Sequence, residues 1–573
     1  MHIGGFMDPL TLILIGLGVF ILALVAILLF RTNAYPITLD QPDVIELDIV
    51  DGQSVAERIG LAVQLRTVSN SDPEKINPIP FEGMRNLVST LYPEIEQHLH
   101  RELVNGHALL YTWRGTDDTL DPVAFTAHQD VVPADEQDGA GWTHPPFSGV
   151  VADGYVWGRG TLDCKGTLVC LLEAVDRLLR LGFAPKRTVY LGFGHDEEVS
   201  GANGAKEIAR ALTQRGVKLS FLLDEGGSVV QGSVPGVDVP VGLIGVSEKG
   251  HMDLKLKAKV AGGHASTPGE TTAIGALSLA IATLENNPFP QDLEMAQFMM
   301  SFLGDELPFT QRLALANTWL FGGAVKKRFA AKAASNALTR TTVAPTVIHA
   351  GSAVNVLPAE AEALLNIRIL PGETSRDVFQ RVTDLVGDEA LQVLPAHAST
   401  LVEDTHVWEP SPISNVDSPQ FELLANLVLA AFPGAKVAPF MMNGATDARY
   451  YTGICDNVYR FSPFFLSEED VKTVHGVNER LSIENAGRAV AFYQELIAQV
   501  SALPAHANAE VEEEIVEDSA VEEVAIRRMR ESLPTRPLKT TEPPVDVETL
   551  EAEPFEPLPD DDTPLEVKPL PKD

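Results

Sequence analysis

A chain of 573 residues is longer than one ordinary domain, and with 45% hydrophobic residues most of it can bury a core. The formal net charge of −36 disfavours a nucleic-acid-binding role, because a phosphate backbone repels such a surface. Three cysteines (Cys164, Cys170 and Cys455) exclude a dense disulfide framework and leave the redox compartment open.

In chain order, residues 1–36 form an N-terminal segment around the uncharged apolar run 10–30. As a helix that run reaches roughly 31 Å, enough to cross a hydrocarbon core, so one transmembrane helix is expected. A secretory signal peptide is the competing reading. Its apolar region is ordinarily shorter, its preceding segment basic and its cleavage site lined by small residues, and none of these features is present here. The one flanking cation, Arg31, leaves the side of the membrane open with a slight cytoplasmic bias. Between 37 and 502, apolar β-rich runs alternate with helical stretches, which indicates an α/β class. VAFTA (123–127), TVYLGFG (188–194) and FLL (221–223) read as buried strands. From 246 to 405 the pattern changes to alternating strands, HMDLKLKAKV and EALLNIRIL, with helical material at 273–286 between them. This predicts a smaller α+β domain inserted between two parts of the core, 37–245 and 406–502. A helix is expected at 420–431 and a final one at 483–500. From 503 to 573 there are 20 acidic against 7 basic residues with frequent proline, the composition of a disordered tail.

Each of the three buried strands is followed at once by polar chemistry, and open α/β sheets bind ligands beyond the carboxyl ends of their strands. In HQDVVP, the spacing of two puts His128 and Asp130 on one face, so Asp130 can fix the imidazole tautomer that ligates a metal. Asp163, in the Gly-rich GRGTLDCKG turn, is either a helix cap or a carboxylate shared by two metals. The adjacent Glu197 and Glu198 of HDEE repel each other unless a cation or proton compensates, although a solvated acidic turn is the plainer alternative. Asp224 and Glu225 of LLDEGG pose the same choice. His475 in VHGVNE, read alone, is an exposed loop histidine. His264 in AGGHASTPG either serves the turn or presents an imidazole to a developing oxyanion. Arg368 either pairs with an internal acid or binds a substrate carboxylate bidentately. Cys164 is favoured as a packing residue because no second thiol accompanies it. Histidines with several carboxylates are the ligand types that Zn²⁺ accepts.

Taken together and in order, HQDVVP, WTHPPFSGVVADGYVWGRGTLDCKG, GHDEEVSG, LLDEGG, GGHAST, NIRILPGE, GATDAR and VHGVNE resemble the zinc-dependent aminoacylase and carboxypeptidase family, with the carboxypeptidase S branch nearest. The resemblance runs from about residue 50 to 500 and implies a di-zinc exopeptidase fold, a catalytic domain with a central mixed sheet and an inserted lid or dimerisation domain. It implies two Zn²⁺ per subunit, for which Co²⁺ or Mn²⁺ can substitute. His128, Asp163 and Asp224 would hold one metal, and Asp163, Glu198 and His475 the other. Glu197 would be the general base and Asp130 the carboxylate that supports the His128 ligand, with a cis bond after Asp163. His264 would stabilise the oxyanion, and Arg368, Asn355, Gly444, Thr446 and Arg449 would contact the substrate carboxylate. The implied activity is amide hydrolysis next to a free-carboxylate amino acid, by a carboxypeptidase on short peptides or, alternatively, an N-acyl-amino-acid amidohydrolase, acting as a monomer or a homodimer. A membrane-tethered binding protein with a vestigial site is the reading from a different class. The apolar helix and acidic tail lie outside the family's shared core, so location is not implied.

Overall fold

The structure, a computed structural model, describes residues 8–39, 45, 47–137, 141–387, 390–401 and 406–504. The acidic tail therefore lies outside the described residues from 505 onward.

A ten-stranded mixed sheet organises the larger part of the chain. Its centre is parallel: Val123–His128 lies between Val189–Gly194 and Phe221–Asp224, and Phe221–Asp224 pairs in turn with Val458–Arg460. Val123–His128 is buried along its whole length, as expected of a parallel strand covered on both faces. Antiparallel strands extend the sheet outward on the Ala108–Trp113 side, and Val241–Glu248 continues it on the other. Helices Lys165–Arg180 and Ile483–Ala502 pack into the same apolar cluster as the central strands through Leu168, Leu171, Val175, Val490, Ile497 and Val500. Each such side chain contributes about 1.5–3 kcal/mol on burial. The register pairs His128 with Gly194 and Phe125 with Leu223. The polar segments that follow these strands thus leave one edge side by side, about 4.8 Å apart per strand.

A four-stranded sheet, in the order Thr342–Ala350, Glu360–Ile369, Gly250–Lys259 and Leu391–Pro395, is antiparallel throughout. Helices Ala273–Asn286 and Ser375–Val386 cover it, and its alternating residues Met252, Leu254, Leu256, Leu365 and Ile367 form a second core. The span 246–405 holds more than this unit. Helices Glu294–Ser301, Phe309–Ala316 and Thr318–Ala330 belong to a third apolar cluster, with Tyr35 from the N-terminal segment and Val241 and Ala438 from the edge of the large sheet. The apolar helix runs Pro9–Asn33, is capped by Asp8, and exposes the side chains of its long apolar stretch.

Candidate active site

His128 ends its strand with its ring 1% exposed. Its Nδ1 faces the Asp130 carbonyl at 3.0 Å and the Asp130 carboxylate at 3.3 Å, which reserves Nε2 for the site. The other work of the Asp130 carboxylate is to accept the backbone N–H groups of Glu197 and Glu198 at 3.1 and 3.2 Å. One buried acid thus orients a histidine and fixes the turn that carries two further acids. Gln129, between them, donates to the carbonyls of Phe193 and Gly194 and ties the two strand ends together.

The Asp163 carboxylate stands between the two histidines. Its Oδ1 is 2.9 Å from His128 Nε2 and its Oδ2 is 3.0 Å from His475 Nε2. Glu198 Oε2 lies 3.0 Å from the same His475 nitrogen, and Glu225 Oε1 lies 3.5 Å from His128 Nε2. Ligand atoms set tetrahedrally around Zn²⁺ at 2.0–2.1 Å lie about 3.3 Å apart. The observed spacings of 2.9–3.5 Å match that figure on both sides of Asp163. The peptide bond between Asp163 and Cys164 is cis, and the buried Cys164 Sγ sits 3.3 Å from the His128 backbone N–H.

Asp224 does not share this position. Its buried carboxylate accepts the Ala448 backbone N–H at 2.7 Å, whereas the next residue, Glu225, faces His128. The strand Phe221–Asp224 ends at Asp224, and adjacent residues project to opposite sides, so one of the two acids enters the site and its neighbour is used to hold the 443–449 loop.

The charges fit cations as well as the distances do. Burial pushes the Glu197 carboxyl well above its usual range, and Asp447, Glu225 and Glu198 push it further, against the pull of His128. Burial, and then Asp163, pushes Glu225 up to about 8. Hydrogen bonds with Asp163 and Glu198 push His475 up to about 10. Four acids around two imidazoles leave an excess of negative charge that bound dications offset.

A sequence profile described as "Peptidase family M20/M25/M40" matches residues 124–499. The chain belongs to the M20 peptidase family. Among its relatives, the probable carboxypeptidase S-like 2 of Dictyostelium discoideum is 34% identical over 486 residues, covering 84% of this chain and 92% of that protein. The N-fatty-acyl-amino acid synthase/hydrolase PM20D1 of Homo sapiens is 36% identical over 451 residues, covering 78% and 87%. The M20 family metallo-carboxypeptidase Sso-CP2 from Sulfolobus solfataricus shares the fold, with a TM-score of 0.55 at 17% identity over 78% of this chain and 99% of that one. Membership makes this chain a metal-dependent hydrolase of the metallopeptidase class.

The M20 chain's remaining residues of interest fall into two groups. Arg449 lies close to the cluster, with its guanidinium donating to the carbonyls of Thr446 and Ser200 at 2.7 and 2.6 Å and stacked 4.5 Å from the Trp408 ring centroid. Arg368 lies opposite His251 on the four-stranded sheet, and its guanidinium has neither a hydrogen bond nor an ion pair among the described residues. Burial lowers its pKa, Asp253 opposes that shift and the Arg449 guanidinium adds to it.

Thr446 is differently employed, since its hydroxyl donates to the buried Glu248 at 2.5 Å and its side chain caps the following turn at Ala448. Gly444 is exposed. His264 and Asn355 lie together at the two-stranded sheet formed by Gly263–His264 and Val356–Leu357, both exposed, with the Asn355 carbonyl accepting the Ala265 N–H. The His264 Nδ1 accepts the Ser266 N–H at 3.1 Å, so a neutral ring carries its proton on Nε2 as a donor.

Glu479 and Trp408 carry functions that sequence reasoning did not assign. Glu479 Oε1 accepts the N–H groups of Gly160, Leu162 and Asp163 at 2.9, 3.0 and 3.2 Å, while Oε2 meets Arg159 at 2.6 Å. Arg159 also donates to the His475 carbonyl. The pair joins the Asp163 loop to the His475 loop, where His475 and Asn478 adopt positive φ of 57° and 61°. Left-handed backbone at non-glycine residues costs about 1 kcal/mol each, and this buried carboxylate helps hold it. Replacing Glu479 by Gln leaves buried donors short of an acceptor. It is expected to cost about 1–3 kcal/mol in thermal unfolding and to weaken metal retention, measured by zinc content after dialysis. The sequence signal available for this role is the VHGVNE spacing itself, with an acid four residues after the histidine.

Proposed function

We propose that this protein is a membrane-anchored di-zinc hydrolase that cleaves an amide bond next to a free-carboxylate amino acid, as a carboxypeptidase on short peptides. The observation that carries the reading is the Asp163 carboxylate, each of whose oxygens faces one histidine, with Glu197 beside them. His128, Asp163 and Glu225 would hold one Zn²⁺, and Asp163, Glu198 and His475 the other. Glu225 thus takes the place that the resemblance gives to Asp224. Bound there, the two ions would supply the Lewis acidity that brings a water's pKa towards neutrality and polarises the scissile carbonyl.

The chain's own groups do the rest. Glu197, whose carboxyl is pushed above its usual range by burial and by the neighbouring acids, takes a proton from the attacking water and returns it to the leaving amine. Asp130 holds the His128 tautomer and, through two N–H groups, the position of Glu197. The Nε2–H of His264 is suited to an oxyanion, and its exposed place on the smaller domain means that this domain must approach the cluster for it to serve. Arg368 and Arg449 receive the substrate carboxylate.

Two comparisons test the assignment. Glu225→Gln is expected to lower zinc content by about one ion per chain and to remove activity, whereas Asp224→Asn retains zinc and destabilises the fold; elemental analysis of both variants separates them. Arg368→Gln is expected to raise KM by roughly 10–100-fold for substrates with a free carboxylate and to leave their amidated analogues unaffected. A second reading, hydrolysis of N-acyl amino acids, is favoured by the 36% identity to a protein named N-fatty-acyl-amino acid synthase/hydrolase. Parallel kcat/KM measurements on dipeptides and on N-acyl amino acids decide between the two, and a higher value for the acyl substrates sinks the peptidase reading.

A further inference from the structure

The N-terminal helix is joined to the folded body by its last turns. Leu24 and Leu28 are half-buried, Thr32 and Tyr35 are buried, and all four lie along one side of the chain as it leaves the helix. Asn317 donates to the Leu28 carbonyl and to Thr32 Oγ1, both at 3.3 Å. Arg31 Nε donates to the Ala316 carbonyl at 3.1 Å, and the Tyr35 hydroxyl to the Gln297 carbonyl at 2.8 Å. The uncharged run ends at Phe30. At 1.5 Å per residue the Leu28 carbonyl sits about 3 Å on the hydrocarbon side of that boundary. Asn317 reaches it there, and the helix Thr318–Ala330 starts at the next residue.

The first turn of that helix exposes Trp319 (58%) and Leu320 (47%). Its last turn and the residues after it expose Lys326, Lys327, Arg328 and Lys332, none of them in an ion pair among the described residues. The surrounding sequence is segregated in charge. Between Glu306 and Glu360 there is no acidic residue, in a chain that carries 79 acidic residues among 573. Tryptophan settles at headgroup depth, and unpaired cations are drawn to anionic lipid headgroups.

We propose that the helices Phe309–Ala316 and Thr318–Ala330 form a membrane-contact surface that rests on the bilayer spanned by Pro9–Asn33, with Trp319 and Leu320 in the interface and Lys326, Lys327 and Arg328 against anionic headgroups. The proposal rests on the reading of Pro9–Asn33 as a retained transmembrane helix. Its occupant is the lipid surface itself, argued from continuity with that helix and from complementary charge. The body is then held at two places, so it lies against the membrane rather than hanging from a tether.

The test uses the full-length, zinc-loaded protein in vesicles of phosphatidylcholine with phosphatidylserine. The three native cysteines are buried, so an environment-sensitive fluorophore can be placed at Trp319→Cys and, separately, at Leu320→Cys, Phe20→Cys and the distant exposed Leu181→Cys. The expected result is loss of emission at 319 and 320 with shallow nitroxide lipids, loss at 20 with deep ones, and none at 181. In the 319-labelled protein, Lys326/Lys327/Arg328→Glu should reduce that loss in phosphatidylserine vesicles and not in phosphatidylcholine alone. Quenching at 20 with a water-exposed signal at 319 and 320 overturns this proposal and leaves the anchor standing; no quenching at 20 overturns the anchor reading itself. A signal at 319 that is shielded in detergent, depends on protein concentration and ignores lipid quenchers assigns the surface to a second copy of the chain, and also overturns it.

Discussion

Asp163→Asn is expected to abolish hydrolysis and to reduce bound zinc from about two ions per chain towards none. The substitution is nearly isosteric, so the loop keeps its backbone contacts with Glu479, and the change falls on charge and lone pairs. An amide offers one oxygen, where the carboxylate offers Oδ1 to the His128 side at 2.9 Å and Oδ2 to the His475 side at 3.0 Å. Both half-sites therefore lose a ligand at once, and the remaining histidine–carboxylate pairs are incomplete. Zinc per chain by elemental analysis, together with kcat on a dipeptide and on an N-acyl amino acid, checks this. A variant that retains both ions would show that Asp163 is not shared.

Glu197→Gln separates the proton-transfer role from the ligand role. Turnover is expected to fall by roughly 10²–10⁴-fold, the usual contribution of a positioned general base, with KM and zinc content close to wild type. The physical reason is the crowding of the position: burial, Asp447, Glu225 and Glu198 all disfavour a charge there, so a neutral amide costs the fold little. Thermal stability of the metal-free protein should be unchanged or slightly higher. Retention of full activity would move the base assignment to another acid, and loss of zinc would make Glu197 a ligand.

Much of the site was legible because strand-end chemistry is local. Apolar runs ending in His128, in the Glu197–Glu198 turn and in Asp224–Glu225 are visible without any tertiary contact. The choice between Asp224 and Glu225 was not legible. Two neighbouring acids at a strand end differ in which side they face, and the side is set by where the strand stops and by the Ala448 N–H, 224 residues further on. Glu479 shows the same limit. Its carboxylate is defined by N–H groups more than 300 residues earlier, which no local pattern announces.

By itself the sequence determined the α/β class, the apolar N-terminal helix, the family and the set of ligand-type residues, because hydrophobic period, run length and motif order are properties of short segments. The tertiary structure alone decided that Glu225 rather than Asp224 meets His128, and that the N-terminal helix is fastened to the Phe309–Ala330 region. Those outcomes depend on which distant surfaces pack together. Packing is fixed by the sum of many contacts far apart in the chain, and no single segment carries it.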